Sequence, residues 1–314
     1  MNNKKNIIFI GTPDFSVPTL KALIADERYY IFAVITAPDA PVGRKQILTP
    51  PPVKVVAEKH NITVLQPQDI NEITSKIAEL NPDAIITIAY GQIIPKAILD
   101  IPKSGCLNLH ASLLPKYRGA SPIQAAILNG DKTTGVTLMK MDKTIDTGPI
   151  IAQESLNITP NETGESLHDK LAELSAEILI KYLPQYLDGK LTPKPQDNSR
   201  ATLTQKITRE SGRINWQRPA EEIERMVRAY YPWPGTYTKW DGRILKIISA
   251  SPTTKGGVKP PRPTGTVFLH NNQLAVQCGS NTLIIKKLQL EGKKQMTSNE
   301  FLAGHQDILE KILK

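Results

Sequence analysis

Short apolar segments alternate with amphipathic segments through the first part of the chain, and this alternation restricts the possible folds more than any other feature. The apolar segments lie at residues 6–10, 31–36, 63–65 and 84–88, and the segments with helical periodicity lie at residues 17–24, 53–59 and 69–80. Strands that alternate with helices pair in parallel through right-handed crossovers. The sequence therefore predicts an α/β fold with a doubly wound, mostly parallel sheet.

The 314 residues are enough for two domains of ordinary size. We predict a first domain over residues 1–189, a polar linker over residues 190–204 and a second domain over residues 205–314. Short β-type segments follow one another in the second domain, at residues 243–248, 264–269, 274–276 and 282–288. This spacing favours a small β-barrel of the oligonucleotide-binding type, with a β-sandwich as the alternative.

The net excess of positive charge is confined to the second part of the chain. Residues 1–189 carry 18 Lys and Arg against 20 Asp and Glu, whereas residues 190–314 carry 21 against 10 and so account for the net charge of +9. Such an asymmetry indicates a contact with nucleic acid or another polyanion in one domain only. A basic domain that is merely well solvated is the alternative.

The cysteines and the N-terminus bear on the compartment. Cys106 lies in a predicted core strand, far in sequence from Cys278, which is not the pattern of a disulfide framework and fits a reducing compartment. The apolar run at residues 7–10 ends at Gly11 and is far too short for a signal peptide or a membrane span. We expect a cytoplasmic protein with no membrane partner.

Two common kinds of binding site are not predicted. The turn after the first strand contains one glycine, Gly11, where a dinucleotide fold needs the pattern G-x-G-x-x-G. The five histidines lie far from one another and from the cysteines in sequence, which disfavours a zinc site. We therefore expect neither a dinucleotide nor a metal.

The segment 104–150 contains the residues with the clearest chemical potential. Asn108 and His110 lie two apart in a predicted strand at residues 106–110, so their side chains point the same way at a spacing of about 6.5–7 Å. Asp142 and Asp146 lie in a glycine-ended loop further on. Taken alone, a histidine at a strand end is usually packed or exposed, and carboxylates in such a loop usually form turns.

Together, an amide, an imidazole and a carboxylate are the groups that catalyse acyl transfer to an amine. A fixed donor stabilises the oxygen that becomes negative, and a histidine that titrates near neutrality moves a proton while a carboxylate orients it.

The segment also resembles the folate-dependent formyltransferases. The family pattern runs Asn-x-His, Ser-Leu-Leu-Pro-x-x-Arg-Gly, Thr-Gly-Val-Thr and Asp-Thr-Gly, and it stands here at residues 108–110, 112–119, 134–137 and 146–148. The resemblance implies a Rossmann-like formyltransferase domain in which Asn108, His110 and Asp146 are catalytic. It implies that 10-formyltetrahydrofolate is bound by two loops, through Tyr90, Gly91, Ile93, Ser112, Leu113, Leu114 and Pro115, although packing in the core is an equal alternative for Ile93.

Resemblance continues into the second domain. Arg-Ile-x-Trp at residues 213–216 and Pro-Trp-Pro at residues 232–234 are similar to the members of the family that act on methionyl-tRNA. In those members a proline-rich loop like residues 37–52 reaches the tRNA acceptor end. The tRNA contacts that we expect are Arg44, Lys45, Lys206, Arg209, Arg213, Arg225 and Arg228.

The resemblance thus implies an enzyme that moves a formyl group from 10-formyltetrahydrofolate to the amino group of methionine on initiator methionyl-tRNA. Separately, we expect a monomer. The alternatives are a formyltransferase for a nucleotide-linked amino sugar, a formyltetrahydrofolate hydrolase and a nonenzymatic RNA-binding module. A basic second domain favours the tRNA enzyme over the first two, and the Asn-x-His pattern with its distant aspartate disfavours the third.

Overall fold

The computed structural model of the chain describes residues 4–43, 45–253 and 262–314. The chain divides into two compact units. Unit 1 comprises Met1–Pro122, Thr133–Asn157 and His168–Thr204, and unit 2 comprises Ile123–Lys132, Ile158–Leu167 and Gln205–Lys314. Residues 190–204, which the sequence suggests as a linker, are grouped with unit 1, and the functional domain limits stay a prediction.

Unit 1 contains a seven-stranded sheet. Its strands, in chain order, are β1 (Lys5–Gly11), β2 (Tyr29–Ile35), β5 (Thr63–Leu65), β6 (Ala84–Ile88), β7 (Cys106–His110), β9 (Thr133–Lys140) and β10 (Ile150–Asn157). Their spatial order is β10-β9-β7-β6-β1-β2-β5, parallel from β7 to β5 and antiparallel at β9 and β10. The predicted doubly wound, mostly parallel sheet is confirmed.

The central strands are buried because helices cover such a sheet on both faces. Every residue of β6 is buried. Ile8, Ile10 and Ile85, which have no exposed surface, belong to one apolar cluster. The helices begun in this part of the chain are α1 (Val17–Ala25), α2 (Pro52–Lys59), α3 (Thr74–Glu79), α4 (Lys96–Leu99), α5 (Pro122–Leu128) and α6 (Gly164–Leu187).

Two local predictions need correction. The proline-rich segment 37–52 is not all loop, because β3 (Ala40–Val42) and β4 (Ile47–Thr49) form an antiparallel hairpin whose turn includes Gly43 at a φ of +73°. The predicted helix at residues 69–80 begins as a 3₁₀ turn, Ile70–Ile73, which Asp69 caps by accepting from the Asn71 amide. In both places, hydrogen bonds between residues close in sequence outweigh the structure that the composition of the segment favours.

A two-stranded ladder also lies in unit 1. β8 (Arg118–Gly119) pairs in parallel with β11 (Leu203–Thr204), more than 80 residues later in sequence. Residues 203 and 204 are therefore hydrogen-bonded to a segment of unit 1 that is distant from them in sequence.

Unit 2 contains an antiparallel sheet. Its strands are β12 (Thr236–Trp240), β13 (Arg243–Pro252), β14 (Val267–His270), β15 (Gln273–Gln277), β16 (Thr282–Leu290) and β17 (Met296–Thr297), and its helices include α7 (Ala220–Ala229) and α8 (Ser298–Leu302). The strand order is β12-β13-β16-β15-β14, with β17 added to β16. Ile223, Met226 and Val227 line the buried face of α7 at helical spacing.

The C-terminal segment joins the two outer strands of that sheet. Lys314 exchanges backbone hydrogen bonds with Lys239 of β12, and Val267 of β14 exchanges them with residues 310 and 311. The sheet is thereby closed into the predicted small barrel. Its interior is apolar and includes Trp216, Trp240, Leu245, Leu288 and Phe301. β12 is not predicted from the sequence, because its polar residues Thr236 and Thr238 face inward, where each hydroxyl bonds to a carbonyl oxygen.

Candidate active site

The site lies where the sheet of unit 1 changes direction. From β1 the chain builds outward to β2 and β5, then returns to place β6 and β7 on the other side of β1. In an open α/β sheet the crevice at such a switch point, at the carboxyl ends of the strands, is the usual place for a ligand. The loops after β6 and β7 leave from that edge because the two strands are parallel neighbours.

β7 carries Asn108 and His110 on one face, as the alternation predicts. Asn108 is half-buried and lies opposite Thr87 of β6 and Met139 of β9, and His110 is buried opposite Thr137 of β9. Asn108 therefore has a paired strand on each side, whereas His110, at the end of β7, is paired with β9.

Asp146 reaches these two side chains from the loop between β9 and β10. Its Oδ1 lies 3.5 Å from Asn108 Nδ2, which donates to it, and its Oδ2 lies 3.5 Å from His110 Nδ1. The amide of Gly119 donates to the same Oδ2 at 2.8 Å. The His110 and Asp146 side chains are only 8% and 12% exposed. Low exposure strengthens the electrostatic coupling between them, since little water screens it.

The second ring nitrogen of His110 has a partner of its own. Nε2 lies 2.9 Å from the backbone oxygen of Tyr117. A carbonyl oxygen only accepts hydrogen bonds, so Nε2 carries a hydrogen. When Nδ1 is also protonated, the ring becomes a cation facing the Asp146 carboxylate. The arrangement thus provides a proton-carrying group with a fixed ring orientation.

Asp142 takes a different role from Asp146. Its carboxylate accepts from the Thr144 amide at 3.0 Å and from the Thr147 hydroxyl at 2.7 Å, so it closes the turn in which it lies. These bonds are local to the loop. Asp146, by contrast, makes its carboxylate contacts with Asn108, His110 and Gly119.

The loop after β7 is fixed by the sheet beneath it. The buried Thr137 hydroxyl donates to the backbone oxygen of Ser112 at 2.6 Å. It accepts from the backbone amide of Leu114 and from Gln153 Nε2. Gln153 also donates to the Leu114 oxygen at 2.9 Å. Ser112 and Leu114 are buried, Leu113 and Pro115 are partly exposed, and the Leu114–Pro115 peptide is cis. The backbone of the predicted folate loop is therefore held on both sides of Leu114.

The loop after β6 presents an apolar side chain to solvent. Ile93 is 74% exposed, which excludes core packing for it, whereas Tyr90 is buried and burial raises the pKa of its hydroxyl to about 12. Gly91 adopts a φ of +94°, which suits glycine. The Tyr90 backbone oxygen accepts from the Thr12 hydroxyl at 3.1 Å, which ties the loop to the end of β1.

Several groups at the site are not found by sequence reasoning. They include Tyr117 and Gly119, which act through the backbone, and Thr137, Gln153 and Gln196, which hold loops. Backbone contacts leave no side-chain signal. Gln153 and Gln196 lie in segments whose polarity is ordinary for an exposed strand and a linker.

The predicted tRNA-contacting cations fall into two groups. Lys45, Lys206, Arg209 and Arg213 are exposed. Arg225 donates to the backbone oxygen of Leu128 at 2.8 Å. Arg228 donates to the Glu224 carboxylate and to the backbone oxygen of Glu162. All of these residues belong to unit 2. Arg225 and Arg228 therefore have a structural role. Arg44 lies outside the described residues.

Other chemistry is limited by burial. Cys106 at the start of β7 is buried, and burial raises the pKa of its thiol to about 12, so it remains a thiol at neutral pH and a poor nucleophile. Among the residues that the structure describes, no group of three or more His, Cys, Asp and Glu side chains is arranged to hold a metal ion. Within the same residues, no helix is both long and apolar enough to cross a membrane.

Comparison with known proteins identifies the class. Residues 5–183 match the formyl transferase family, and residues 206–306 match the formyl transferase C-terminal domain. The chain therefore belongs to the formyl transferase family, and the predicted resemblance is confirmed. It is 45% identical over 301 residues to the methionyl-tRNA formyltransferase of Geobacter metallireducens, covering 95% of each chain. It is 47% identical to that of Geobacillus thermodenitrificans, covering 95% of this chain and 94% of the other.

Solved structures support the fold. An N-formyltransferase from Helicobacter canadensis, in complex with folinic acid and dTDP-3-aminofucose, superposes with a TM-score of 0.68 at 20% identity, covering 94% of this chain and all of the other. HypX from Aquifex aeolicus, in complex with tetrahydrofolic acid, gives a TM-score of 0.60 at 17% identity. The match covers 96% of this chain, which spans about half of HypX, 47% of its length.

Proposed function

We propose that this chain transfers the formyl group of 10-formyltetrahydrofolate to the amino group of methionine on initiator methionyl-tRNA, as part of translation initiation. The observation that carries the proposal is the meeting of Asn108, His110 and Asp146 at the carboxyl end of β7. It occurs in a chain that is 45% identical to a methionyl-tRNA formyltransferase over 95% of both lengths.

The reaction makes two demands on the site. A bond forms between the methionyl nitrogen and the formyl carbon, the bond from that carbon to the folate nitrogen breaks, and one proton passes from the first nitrogen to the second. Between these events the formyl oxygen carries negative charge. The site must therefore supply donors for that oxygen and a group that moves a proton.

Asn108 and His110 meet the first demand. Asn108 Nδ2 has two hydrogens, and only one of them is directed to Asp146, so the other is available for the formyl oxygen. The protonated His110 ring adds positive charge beside the same place, held in orientation by the Tyr117 oxygen. Donors that are fixed before the reaction stabilise the negative oxygen without the cost of reorienting.

Asp146 meets the second demand. Its carboxylate lies 3.5 Å from His110 Nδ1, orients the ring and can accept the proton of the methionyl amine, directly or through a water. The bond from Gly119 keeps Oδ2 directed at the ring.

The two loops at the sheet edge are the proposed site of the folate co-substrate. Ile93 offers an exposed apolar surface, and the backbone around Leu114 is fixed by Thr137 and Gln153. We assign Tyr90, Gly91 and Ile93 to one wall and residues 112–115 to the other. An apolar surface beside fixed backbone groups is the usual composition of a site for a ring-shaped ligand.

The basic excess of residues 190–314 supports binding of tRNA through its phosphates. The exposed cations Lys206, Arg209 and Arg213 are the first candidates for these contacts, together with Lys45 and Arg44 of the first half. We further propose that the enzyme acts as a monomer in the cytoplasm, the compartment where aminoacyl-tRNA is made and used. Light scattering of the purified chain tests the monomer.

The decisive assay gives the full chain 10-formyltetrahydrofolate together with one of three acceptors. We expect formyl transfer to initiator methionyl-tRNA, a much slower transfer to a nucleotide-linked amino sugar, and little formate release when water is the only acceptor. Formylation of the amino sugar, or formate release that is independent of tRNA, would replace the proposal with one of the alternatives.

A further inference from the structure

The loop that carries Asp146 is held in a conformation that needs support. Asp146 has a φ of +54°, in the left-handed region that costs energy for residues other than glycine. Its carboxylate must also face two different donors at once, on Asn108 and His110. A loop with these properties keeps its shape only if other groups bind its backbone.

Gln196 binds that backbone directly. Its Nε2 donates to the backbone oxygen of Asp146 at 2.9 Å and to the backbone oxygen of Gly148 at 2.8 Å. One amide group thus spans the turn that presents the Asp146 carboxylate. Gln196 lies 50 residues after Asp146 in sequence.

Arg118 in turn fixes the Gln196 amide. The Gln196 oxygen accepts from Arg118 Nε at 3.1 Å and from Arg118 Nη2 at 2.7 Å. The Arg118 residue is only 6% exposed. A flipped amide would set its NH₂ group against the guanidinium and its oxygen against two carbonyl oxygens. Only one amide orientation therefore satisfies every group, and in it Nε2 points to the loop.

The segment around Gln196 is anchored on both sides. Lys194 exchanges two backbone hydrogen bonds of 2.8 Å with Ile150 at the start of β10. The Thr202 oxygen accepts from the Arg118 amide at 2.9 Å, and Thr204 pairs with Gly119, whose own amide binds the Asp146 carboxylate. Residues 194–204 thus bind Ile150, which follows the Asp146 loop, and also Gly119, which binds the Asp146 carboxylate.

We propose that Gln196 is a positioning residue for formyl transfer, which keeps the Asp146 carboxylate in register with His110 and Asn108 while Arg118 sets its amide. The inference rests on the proposed function, because it concerns the same site. A displacement of a catalytic group by about 1 Å can lower turnover about a hundredfold, so a residue with no substrate contact can still control the rate.

The test is Gln196→Glu in the full chain. This change keeps the length of the side chain and its contact with Arg118, and it replaces the donor to both carbonyl oxygens with an acceptor. We expect kcat for methionyl-tRNA formylation to fall about tenfold to a hundredfold, with the KM for folate unchanged and the chain still folded at the assay temperature. Asn198→Ala is the matched control, because Asn198 also accepts from Arg118, at 2.7 Å, without touching the loop. It should keep wild-type kcat.

A double mutant separates positioning from general damage. If Gln196 acts through Asp146, then Gln196→Glu adds little to the loss caused by Asp146→Asn. A full additional loss in that background would overturn the proposal, as would wild-type kcat in the single variant. If Gln196→Glu fails to fold, Gln196→Met, which removes the donor without adding charge, takes its place in both comparisons.

A readout without turnover keeps the two proposals distinct. The ¹⁵N signal of His110 Nδ1, which faces Asp146, should move in Gln196→Glu and stay in place in Asn198→Ala. If the wild-type chain does not formylate methionyl-tRNA, the proposed function fails while this signal still reports on the position of Asp146. An unchanged signal in Gln196→Glu contradicts the positioning role.

Discussion

The proposed catalytic cluster of unit 1, Asn108, His110 and Asp146, and the exposed cations of unit 2 present charge in opposite ways. The His110 and Asp146 side chains are 8% and 12% exposed and face each other. Their other polar partners are Asn108, the Tyr117 backbone oxygen and the Gly119 amide. Lys206, Arg209 and Arg213 are exposed on the surface of unit 2.

The difference follows from what each region has to do. Transfer of a formyl group depends on the positions of a few atoms, and fixed groups in a water-poor place are the most effective. Attraction of a polyanion depends on summed charge, which tolerates mobile side chains and falls with added salt. The rate of formyl transfer should therefore be sensitive to the loss of single atoms in unit 1, and the affinity for tRNA should be sensitive to ionic strength.

The largest effect is expected at Asn108 and His110. Alanine removes the amide donor at position 108 or the ring charge at position 110, each of which would stabilise the formyl oxygen, and should lower kcat on the order of a hundredfold to a thousandfold. Steady-state kinetics with methionyl-tRNA measures this. Folate binding by calorimetry serves as the control, since these side chains bond to Asp146 and Tyr117 rather than to residues 90–93 or 112–115. Turnover within about threefold of wild type for either variant would remove that residue from the mechanism.

A somewhat smaller loss is expected at Asp146, and Asp142 is its matched control. Asp146→Asn leaves the loop geometry in place but removes the charge that faces His110, so kcat should fall about a hundredfold. Asp142→Asn keeps an oxygen that can accept from Thr144 and Thr147 and should cost far less. Equal losses in the two variants would mean that the carboxylate has been assigned wrongly.

The smallest effect is expected from single cations of unit 2. The affinity for methionyl-tRNA should fall steeply as salt is added, while the affinity for folate should not, because phosphate contacts release counterions. Arg209→Ala should weaken tRNA binding only modestly and reduce the slope of log affinity against log salt by about 1. Filter binding over a salt series provides both values, and a slope that is unchanged in Arg209→Ala would exclude that residue as a phosphate contact.

Much of the fold could be predicted because local patterns decide it. The limits of β5, β6 and β7 agree with the predicted strands at residues 63–65, 84–88 and 106–110. The hairpin at residues 40–49 and the strand β12 could not be predicted, since prolines in the first and inward-facing threonines in the second hide the usual pattern. Hydrogen bonds to groups distant in sequence stabilise the inward threonines, and no local signal reports them.

For the candidate site, the sequence by itself determined that Asn108 and His110 share one face of a strand, because side chains two apart on a strand always do. Its motifs also determined the family. Only the tertiary structure decided that the Asp146 carboxylate lies 3.5 Å from His110 and accepts from the Gly119 amide, and that residues 194–204 return to hold its loop through Gln196. Those contacts join residues 27 to 86 positions apart in sequence, and their distances depend on how strands and loops pack rather than on any local periodicity.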